Sequence, residues 1–366
     1  MHTSFKDNQP IQHQPLNSNR VDLRNLTFGQ LTAYLATIGL PAKRAKQIFA
    51  RLSSPGLRDL SQMTGIKQEI VAKLAEHAGM SFLEPETVEE SRDGTRKFAF
   101  RLADNALIES VLIPEAGRHT LCVSSQAGCA MGCTFCLTGR QGFVRNLQPA
   151  EIVNQVLAVM TRMVATGTVR ATPRELINNL VFMGMGEPLA NYDNLLTALT
   201  ILMDVNGLEY SERRVTVSTC GIVPRINDLG RDIRVNLAVS LHAADDTLRS
   251  SLMPVNRTYG LDELLTACRQ FPLGKKKVIL FEYIMLKGIN DALADARLLA
   301  QKLQGIPSRI NLLPYNEANA LAYARATAEQ TLAFQGVLRA AGFNTFIRSS
   351  RGADISAACG QLAGQS

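Results

Sequence analysis

The residues best suited to chemistry in this sequence are three cysteines spaced C-x3-C-x2-C on one short segment. Cys129, Cys133 and Cys136 lie in the stretch GCAMGCTFC. Three thiolates on one loop can ligate three irons of a cubane iron–sulfur cluster, which leaves the fourth iron open. This spacing therefore predicts a 4Fe–4S cluster with one free coordination position.

An open iron suits one cofactor in particular. The amino and carboxylate groups of S-adenosylmethionine (SAM) can bind it, and a reduced cluster can cleave the sulfonium to release a 5′-deoxyadenosyl radical. Zinc is the competing explanation, but a zinc site needs a fourth ligand, for which Cys122 and His119 are the nearest candidates. The loop also begins a series of strands and helices, where cofactor-binding loops belong, so the spacing favours the cluster.

The elements that must position this loop follow it along the chain. Apolar segments alternate with amphipathic ones, which predicts an α/β fold with a parallel sheet covered by helices, either open or closed into a barrel. About six such units are visible, fewer than the eight of a full barrel. The predicted helices are 149–165, 194–203, 224–228, 261–271, 294–303 and 327–342, and the strands are 178–184, 213–219, 234–243, 278–286, 309–316 and 344–349.

The segments around this core divide the chain further. Residues 1–20 are polar and predict a flexible tail. Helical spacing over 21–85 predicts an accessory domain, either a packing appendage or a nucleic-acid contact. Alternation over 86–115 predicts a β-hairpin extension that turns at Ala103–Asn105. The catalytic domain is then expected at 116–348, with a C-terminal tail at 349–366.

Composition limits the classes of function. Hydrophobic residues make up 46% of the 366 residues and charged residues 19%, which is typical of globular proteins. The sequence has no membrane-spanning run and no signal peptide at its start, so we expect a cytoplasmic protein without a membrane partner. The net charge of +7 permits a polyanionic partner without requiring one.

Several polar residues come directly after predicted strands, at the edge where ligands of parallel sheets bind. Gly186 and Glu187 follow the first strand after the loop; a tight strand-to-helix connection explains a glycine-rich turn equally well. The others are Ser218, Ser240, Leu241, His242 and Asn316. On sequence alone, a structural role is the better explanation for His242.

Four cysteines lie outside the loop. Cys220 and Cys268 are interpreted as inert buried thiols, the usual environment of a single cysteine. Cys359 lies in a tail rich in glycine and alanine that can bend into a cleft, which suits chemistry better than packing. Cys122 precedes the cysteine loop and is either a buried thiol or a reactive partner.

The motifs together define a resemblance. The loop resembles that of radical SAM enzymes, and the chain from about Leu23 onward is similar to the RlmN-type family of adenine-C2 methyltransferases that act on 23S rRNA and tRNA. The segments that carry the resemblance are LCVSSQAGCAMGCTFCLTGRQGFVRNL, VFMGMGEPLANYDNL, VSTCGIVP, SLHAADDTLRSSLMPVNR, FEYIMLKGIND, NLLPYN and RGADISAACGQL.

This resemblance implies a partial (β/α)6 radical SAM barrel with an N-terminal helical RNA-binding domain. It implies one 4Fe–4S cluster on Cys129, Cys133 and Cys136 and two SAM per turnover, one as methyl donor and one as radical source. The expected partners are 23S rRNA at the peptidyl transferase centre, tRNA anticodon loops and an electron donor such as flavodoxin, with the protein a monomer. The implied SAM contacts are Gly186, Glu187, Ser218, Ser240, Leu241, His242 and Asn316.

The resemblance also implies a ping-pong mechanism, and the chemistry of adenine explains it. C2 of adenine is electrophilic, so direct methyl transfer from a sulfonium is unreasonable. Cys359 would first become S-methylcysteine, and its methylene radical would add to C2. Cys122 would then form a transient disulfide with Cys359. Glu109 would accept the C2 proton, with Glu115 as a nearby rival.

Two other functions stay open at this point. A related methyltransferase of the antibiotic-resistance type modifies C8 of adenine and shares the cluster, both cysteines and the fold. The context CTFCLTGRQGFVRNL looks more like the C2 enzyme. A non-enzymatic iron–sulfur or zinc RNA-binding protein is the alternative from another class, but it gives Cys122 and Cys359 no purpose.

Overall fold

The fold is built on a ten-stranded mixed sheet, seen in a computed structural model that describes residues 20–167, 172–317 and 320–362. Almost all of the predicted flexible tail at 1–20 lies outside these residues. In chain order the strands are β1 (Val21–Asp22), β2 (Ala78–Gly79), β3 (Thr87–Glu90), β4 (Arg96–Arg101), β5 (Leu107–Glu115), β6 (Arg118–Cys122), β7 (Gln126–Gly128), β8 (Phe143–Asn146), β9 (Asn179–Phe182), β10 (Val215–Thr219), β11 (Asn236–Ser240), β12 (Ile279–Met285), β13 (Ser308–Pro314) and β14 (Asn344–Ile347).

Helices connect these strands on the outside of the sheet. They are α1 (Phe28–Thr37), α2 (Ala45–Leu52), α3 (Gln68–His77), α4 (Leu137–Gln141), α5 (Pro149–Ala165), α6 (Pro173–Leu176), α7 (Tyr192–Met203), α8 (Val223–Asp232), α9 (Asp246–Leu252), α10 (Leu261–Gln270), α11 (Leu293–Lys302) and α12 (Ala328–Ala340). Of the described helices, none is long and apolar enough to cross a membrane.

Seven neighbouring strands run parallel, in the order β6-β9-β10-β11-β12-β13-β14. Each strand is followed by a helical crossover to its neighbour, which makes six β/α units. The central strands are apolar because helices cover one face and the other faces the barrel interior; every residue of β10 is buried. The sheet ends at β14 without closing on β6, so the predicted partial (β/α)6 architecture is confirmed.

The predicted hairpin is present and continues the same sheet. Strands β4 and β5 are antiparallel, and Asn105 in the turn adopts a left-handed conformation with φ 68°. Strand β3 adds to the free edge of β4, while β5 pairs with β6. The extension and the barrel therefore share one continuous hydrogen-bonded frame.

The sequence pattern does not predict strand β6, although it is the first strand of the barrel. Its five residues begin with an exposed Arg118 and a half-buried His119, so its apolar part is too short to show a pattern. Strands β7 and β8 and helix α9 were also not predicted. Helix α8 is longer than expected, Val223–Asp232 instead of 224–228.

The N-terminal residues form the predicted helical unit. Helix α1 begins with a capping box in which Thr27 and Gln30 each bond the other's backbone N–H. The buried guanidinium of Arg24 donates to the carbonyl of Leu52, at 3.1 Å, and to Oδ1 of Asn154 in α5, at 3.0 Å. Because Asn154 belongs to the barrel, this buried cation ties the helical unit to the catalytic domain.

Candidate active site

The cysteine loop lies between the small β7–β8 ribbon and helix α9. Gly128 has φ 70°, and a Cβ there would lie 2.0 Å from the carbonyl oxygen of Gly142, so the ribbon requires glycine. The Cys129 amide donates to that same carbonyl at 2.8 Å. The Thr134 amide donates to the carbonyl of Leu252, at 3.0 Å, which holds the far end of the loop.

The three loop thiols are half-buried and influence one another electrically. Burial raises the pKa of Cys129 to about 12. Burial also raises the pKa of Cys133 well above its ordinary value, and the charges of Cys136 and Cys129 raise it further. Such thiols ionise only beside a compensating cation, which a metal centre supplies.

The donor set fits an iron–sulfur cluster in its chemistry, since the loop offers three sulfur ligands. Across residues 20–167, 172–317 and 320–362, no three His, Cys, Asp or Glu side chains converge closely enough to hold a metal ion. This holds for the three loop thiols as well as for a zinc set with His119 or Cys122, so it does not separate the two. Those three thiols stay the predicted ligands.

The glycine-rich turn after β9 packs directly on the strand that leads into the cysteine loop. Gly186 has φ 92°, and a Cβ there would lie 2.4 Å from Cβ of Gln126. The Glu187 amide donates to Oε1 of Gln126 at 2.8 Å. Gly186 is therefore needed for this close packing in addition to any contact with a cofactor.

The carboxylate of Glu187 is buried and accepts two backbone hydrogen bonds. Oε1 accepts from the Leu189 amide at 2.9 Å, and Oε2 accepts from the Cys220 amide at 2.7 Å. Burial raises its pKa, while the hydrogen bonds to Cys220 oppose the shift. Its charge also raises the pKa of Cys129 and Cys133, so an acceptor for an ammonium group lies beside the cysteine loop.

The predicted strand-end residues lie at one edge of the parallel sheet. Ser218 is buried in β10, and Ser240 ends β11 opposite Glu282 of β12. Leu241 is buried directly after β11. Asn316 follows β13 and is also buried. The fold therefore brings these residues to the edge of the sheet that the cysteine loop occupies.

The position of His242 at this edge is fixed by its backbone and by contacts of its ring. It adopts a left-handed conformation with φ 61°, and its Nδ1 accepts the Ile284 amide at 3.1 Å. Its ring packs edge-on against Phe135 of the cysteine loop, with centroids 4.8 Å apart. Burial lowers its pKa to about 3, so the imidazole is neutral at physiological pH.

Arg249 is a residue of this site that the sequence did not reveal. Its fully buried guanidinium donates to the carbonyls of Cys220, at 2.7 Å, and Ser240, at 3.1 Å. It also donates to the carbonyl of Leu241 at 3.1 Å. It therefore ties the ends of β10 and β11 together. In the sequence, a single arginine on a short helix gives no sign of such a role.

Glu109 and Cys122 share one face of the sheet. Val111 pairs directly with Cys122, and Glu109 lies two residues away on the same strand, so all three side chains point to the same side. Ser110 points to the opposite side, where it donates to Gln155 of α5. Glu109 and Cys122 consequently face away from the covering helix and into the barrel interior.

A buried lysine accompanies Glu109. Nζ of Lys97 lies 3.5 Å from Oε1 of Glu109 and 2.9 Å from Oε1 of Glu89. Lys97 pairs with Val111 in register, so it shares the face of Cys122. No local sequence pattern marks Lys97, because its strand is predicted only as part of a β-hairpin. Glu115, the rival of Glu109, is half-buried and ion-paired with Arg118.

Cys359 reaches the same interior from the C-terminal tail. Nδ2 of Asn316 donates to its carbonyl at 3.3 Å, and the residue as a whole is exposed although the surrounding protein still desolvates its thiol. Desolvation by the surrounding protein raises its pKa to about 11, and the charges of Glu282 and Cys136 raise it further. Burial raises the pKa of Cys122, and the charge of Cys359 adds to this shift. The two thiols are therefore near enough to influence each other's charge, and the Gly360 carbonyl, next to Cys359, accepts the amide of Leu137 at 2.8 Å, next to the cysteine loop.

Comparison with known proteins first defines the class. Residues 123–299 match the radical SAM superfamily. The crystal structure of a radical SAM methyltransferase from Sphaerobacter thermophilus has a TM-score of 0.87 and 41% sequence identity, and the match covers 94% of this chain and 100% of that one. The fold and the cysteine loop are those of a radical SAM enzyme, whose superfamily uses SAM and a 4Fe–4S cluster.

Further matches identify one family within this superfamily. Residues 21–80 match the ribosomal RNA large subunit methyltransferase N-terminal domain. The dual-specificity RNA methyltransferase RlmN of Desulfotalea psychrophila is 51% identical, over 95% of this chain and 96% of its own length. That of Geotalea uraniireducens is 48% identical, over 94% and 97%. The chain belongs to the RlmN family and is a radical SAM RNA methyltransferase.

Proposed function

We propose that this enzyme methylates C2 of adenine in 23S rRNA, at the peptidyl transferase centre, and in tRNA anticodon loops. The observation that supports the proposal is the attachment of the Cys359 tail next to the cysteine loop, through the Leu137 amide and the Gly360 carbonyl at 2.8 Å, together with the electrostatic influence of Cys359 on Cys122. The RlmN relatives are named as dual-specificity RNA methyltransferases, which supports two RNA substrates.

The residues of the site suit the cofactors of the superfamily. Cys129, Cys133 and Cys136 would hold the cluster, and Glu187 would pair with the ammonium of SAM. When bound, one SAM supplies a methyl group and a second one, with the cluster, supplies a hydrogen-abstracting radical. The remaining SAM contacts that we propose are Gly186, Ser218, Ser240, Leu241, His242 and Asn316.

Cys359 would act first, as the methyl acceptor. Its sulfur forms a bond to the methyl carbon while the bond from that carbon to the sulfonium breaks, and the thiol proton leaves to solvent. The raised pKa of Cys359 keeps the thiol protonated, and therefore protected, until a positively charged methyl donor lies beside it. S-Methylcysteine then loses a hydrogen atom, and its methylene carbon bonds to adenine C2.

Glu109 and Cys122 would complete the reaction from the sheet. Glu109 accepts the C2 proton, with Lys97 beside it to stabilise the carboxylate between turnovers. The Cys122 thiol loses its proton and its sulfur attacks that of Cys359, so the bond from Cys359 to the methylene carbon breaks, a disulfide forms, and the released carbon takes up a proton to become the methyl group. The adduct also has to lose one electron, which the cluster, if bound by the loop cysteines, could accept; an external thiol reductant would then restore both cysteines.

The supporting parts of the proposal concern partners. We assign RNA binding to the domain at 21–85, whose match to the family's N-terminal domain and exposed Lys43, Lys46 and Arg51 support it. The catalytic domain spans 116–348, and the tail 349–366 carries Cys359. A monomer that works in the cytoplasm with a flavodoxin-type electron donor completes the proposal.

The decisive experiment is mass spectrometry of nucleosides from unmodified 23S rRNA incubated anaerobically with reconstituted enzyme, SAM and a reductant. We expect 2-methyladenosine, and none with Cys359→Ala prepared in parallel. Formation of 8-methyladenosine alone would assign the protein to the C8-modifying type. Cleavage of SAM without any methylated adenosine would refute the proposed substrate.

A further inference from the structure

The tail that carries Cys359 is attached to the barrel on its C-terminal side. The Leu137 amide donates to the carbonyl of Gly360 at 2.8 Å, and Oγ1 of Thr138 donates to the carbonyl of Leu362 at 2.5 Å. Leu137 and Thr138 directly follow Cys136. This side of the tail is therefore held by the cysteine loop.

A second attachment lies before Cys359 and comes from the extension. In the turn between β3 and β4, Oγ of Ser91 donates to Oδ1 of Asp354 at 2.6 Å, and the Arg92 amide donates to Oδ2 at 3.2 Å. The Gly352 amide in turn donates to Oδ2 of Asp93 at 3.2 Å. The extension and the tail thus exchange hydrogen bonds in both directions.

The tail has little structure of its own to fix its position. Between β14 and Leu362 it contains one short 3-10 helix, Ala353–Ile355, flanked by two left-handed residues, Gly352 and Ser356. A Cβ on Gly352 would lie 2.9 Å from Cγ2 of Thr95, so the tail backbone packs closely on the β3–β4 turn. The position of Cys359 therefore depends on isolated backbone and side-chain contacts instead of a regular element.

We propose that the β3–β4 turn is a latch that positions Cys359, with Ser91 and Asp93 holding Asp354 and Gly352. The inference rests on the proposed role of Cys359 and gives the extension a function. Strand β4 pairs with β5, and β5 pairs with β6, so the latch fixes the movable cysteine relative to the sheet that carries Cys122. Ser91, Asp93 and Asp354 are positioning residues.

The test measures the accessibility of Cys359 in reconstituted, anaerobic enzyme. Iodoacetamide labels the thiol, and trypsin releases the peptide that follows Arg351, which contains Cys359 as its one cysteine. While the tail is held, the surrounding protein desolvates the Cys359 thiol, which keeps its labelling slow. We expect Ser91→Ala, which removes one hydrogen bond to Asp354, and Asp354→Ala, which removes two, to speed this labelling at least about tenfold. The same variants should slow S-methylation of Cys359 by SAM about tenfold.

Controls separate a latch from general damage. Asp59→Ala removes another aspartate that accepts a backbone amide, from Ser61, but in the N-terminal domain, so labelling of Cys359 should not change. Ser91→Thr keeps the hydroxyl and should retain slow labelling. A merely structural defect would also speed labelling of the buried Cys268, whereas release of the latch would not.

Two failures are distinguishable. Unchanged labelling and S-methylation in both Ser91→Ala and Asp354→Ala would overturn the latch. If the wild-type enzyme does not methylate Cys359 at all, the proposed mechanism fails, and the labelling comparison still decides whether the turn holds the tail.

Discussion

The two cysteines proposed for catalysis are held in opposite ways. Cys122 ends strand β6, in register with Val111 on one side and Val181 on the other, and it is buried. Cys359 lies on a tail of turns and is exposed. Sheet hydrogen bonds fix the strand that carries the first sulfur, whereas a few isolated hydrogen bonds hold the tail that carries the second.

This difference matches what the chemistry demands. In the proposed mechanism one sulfur meets a methyl donor, an adenine and a second sulfur in turn, so it has to change position. The other sulfur has a single partner and gains from staying fixed, because a preset geometry raises the effective concentration for disulfide formation. A fixed and a movable sulfur together suffice for all three encounters.

Replacing either cysteine should cause the largest loss of activity and tests whether the fixed and the movable sulfur have separate roles. Cys359→Ala should lower methylated product at least about a thousandfold, because no other residue can carry the methyl group. Cys122→Ala should also stop release of the methylated RNA. In this variant the RNA should stay covalently attached to Cys359, which a shifted band on a denaturing gel would detect. Cys268→Ala, a buried thiol of α10, should retain activity. Product from Cys359→Ala would contradict the mechanism.

Substitutions in the parallel sheet should chiefly lower the free energy of unfolding. Arg249→Leu leaves the carbonyls of Cys220, Ser240 and Leu241 without their buried donor, so we expect a loss of about 3–5 kcal/mol in the free energy of unfolding. Urea titration with circular dichroism measures it. The exposed Arg231→Leu breaks only solvent-screened ion pairs and should change the free energy of unfolding far less. Equal losses in both would show that the buried guanidinium has no special role.

Glu282 of the fixed sheet faces the movable cysteine and makes stability depend on pH. Burial raises its pKa from 4.5 to about 7, while its hydrogen bond from Asn311 and the charge of Arg348 oppose the shift. A raised carboxyl pKa stabilises the fold below pH 4.5 and loses that effect as pH rises through 7, by at most about 3 kcal/mol. Glu282→Gln should flatten this decline in the free energy of unfolding between pH 5 and 8, measured by urea titration. If wild type and variant lose stability equally with pH, Glu282 is not the cause.

The smallest effect is expected within the tail itself. Gly352→Ala places a Cβ 2.8 Å from Cβ of Ala357 at φ 63°, which should displace Cys359 and slow its S-methylation about threefold. Gly342→Ala is the matched control, since φ is 90° there but a Cβ meets nothing within 4 Å. Peptide mass spectrometry after single-turnover incubation measures both. Equal rates would mean that the tail tolerates the displacement.

Local spacing explains which parts of this site were predictable. The three loop cysteines, the turn at Gly186 and the strand-end residues follow patterns confined to a few neighbouring residues. Lys97, Arg249 and the contact between Ser91 and Asp354 join segments distant in the chain, so no local pattern marks them. Strand β6 was missed for another reason, because tertiary pairing with β5 and β9 defines a segment whose own sequence is too short to show a period.

The contact between Thr138 and Leu362 also sets an order of events during synthesis. The two residues are 224 positions apart, so the cysteine loop leaves the ribosome long before the tail that will lie against it. At roughly 5–20 residues per second, this interval is on the order of ten to forty seconds. During that interval this flank of the loop is uncovered, and the arrival of the tail then covers it.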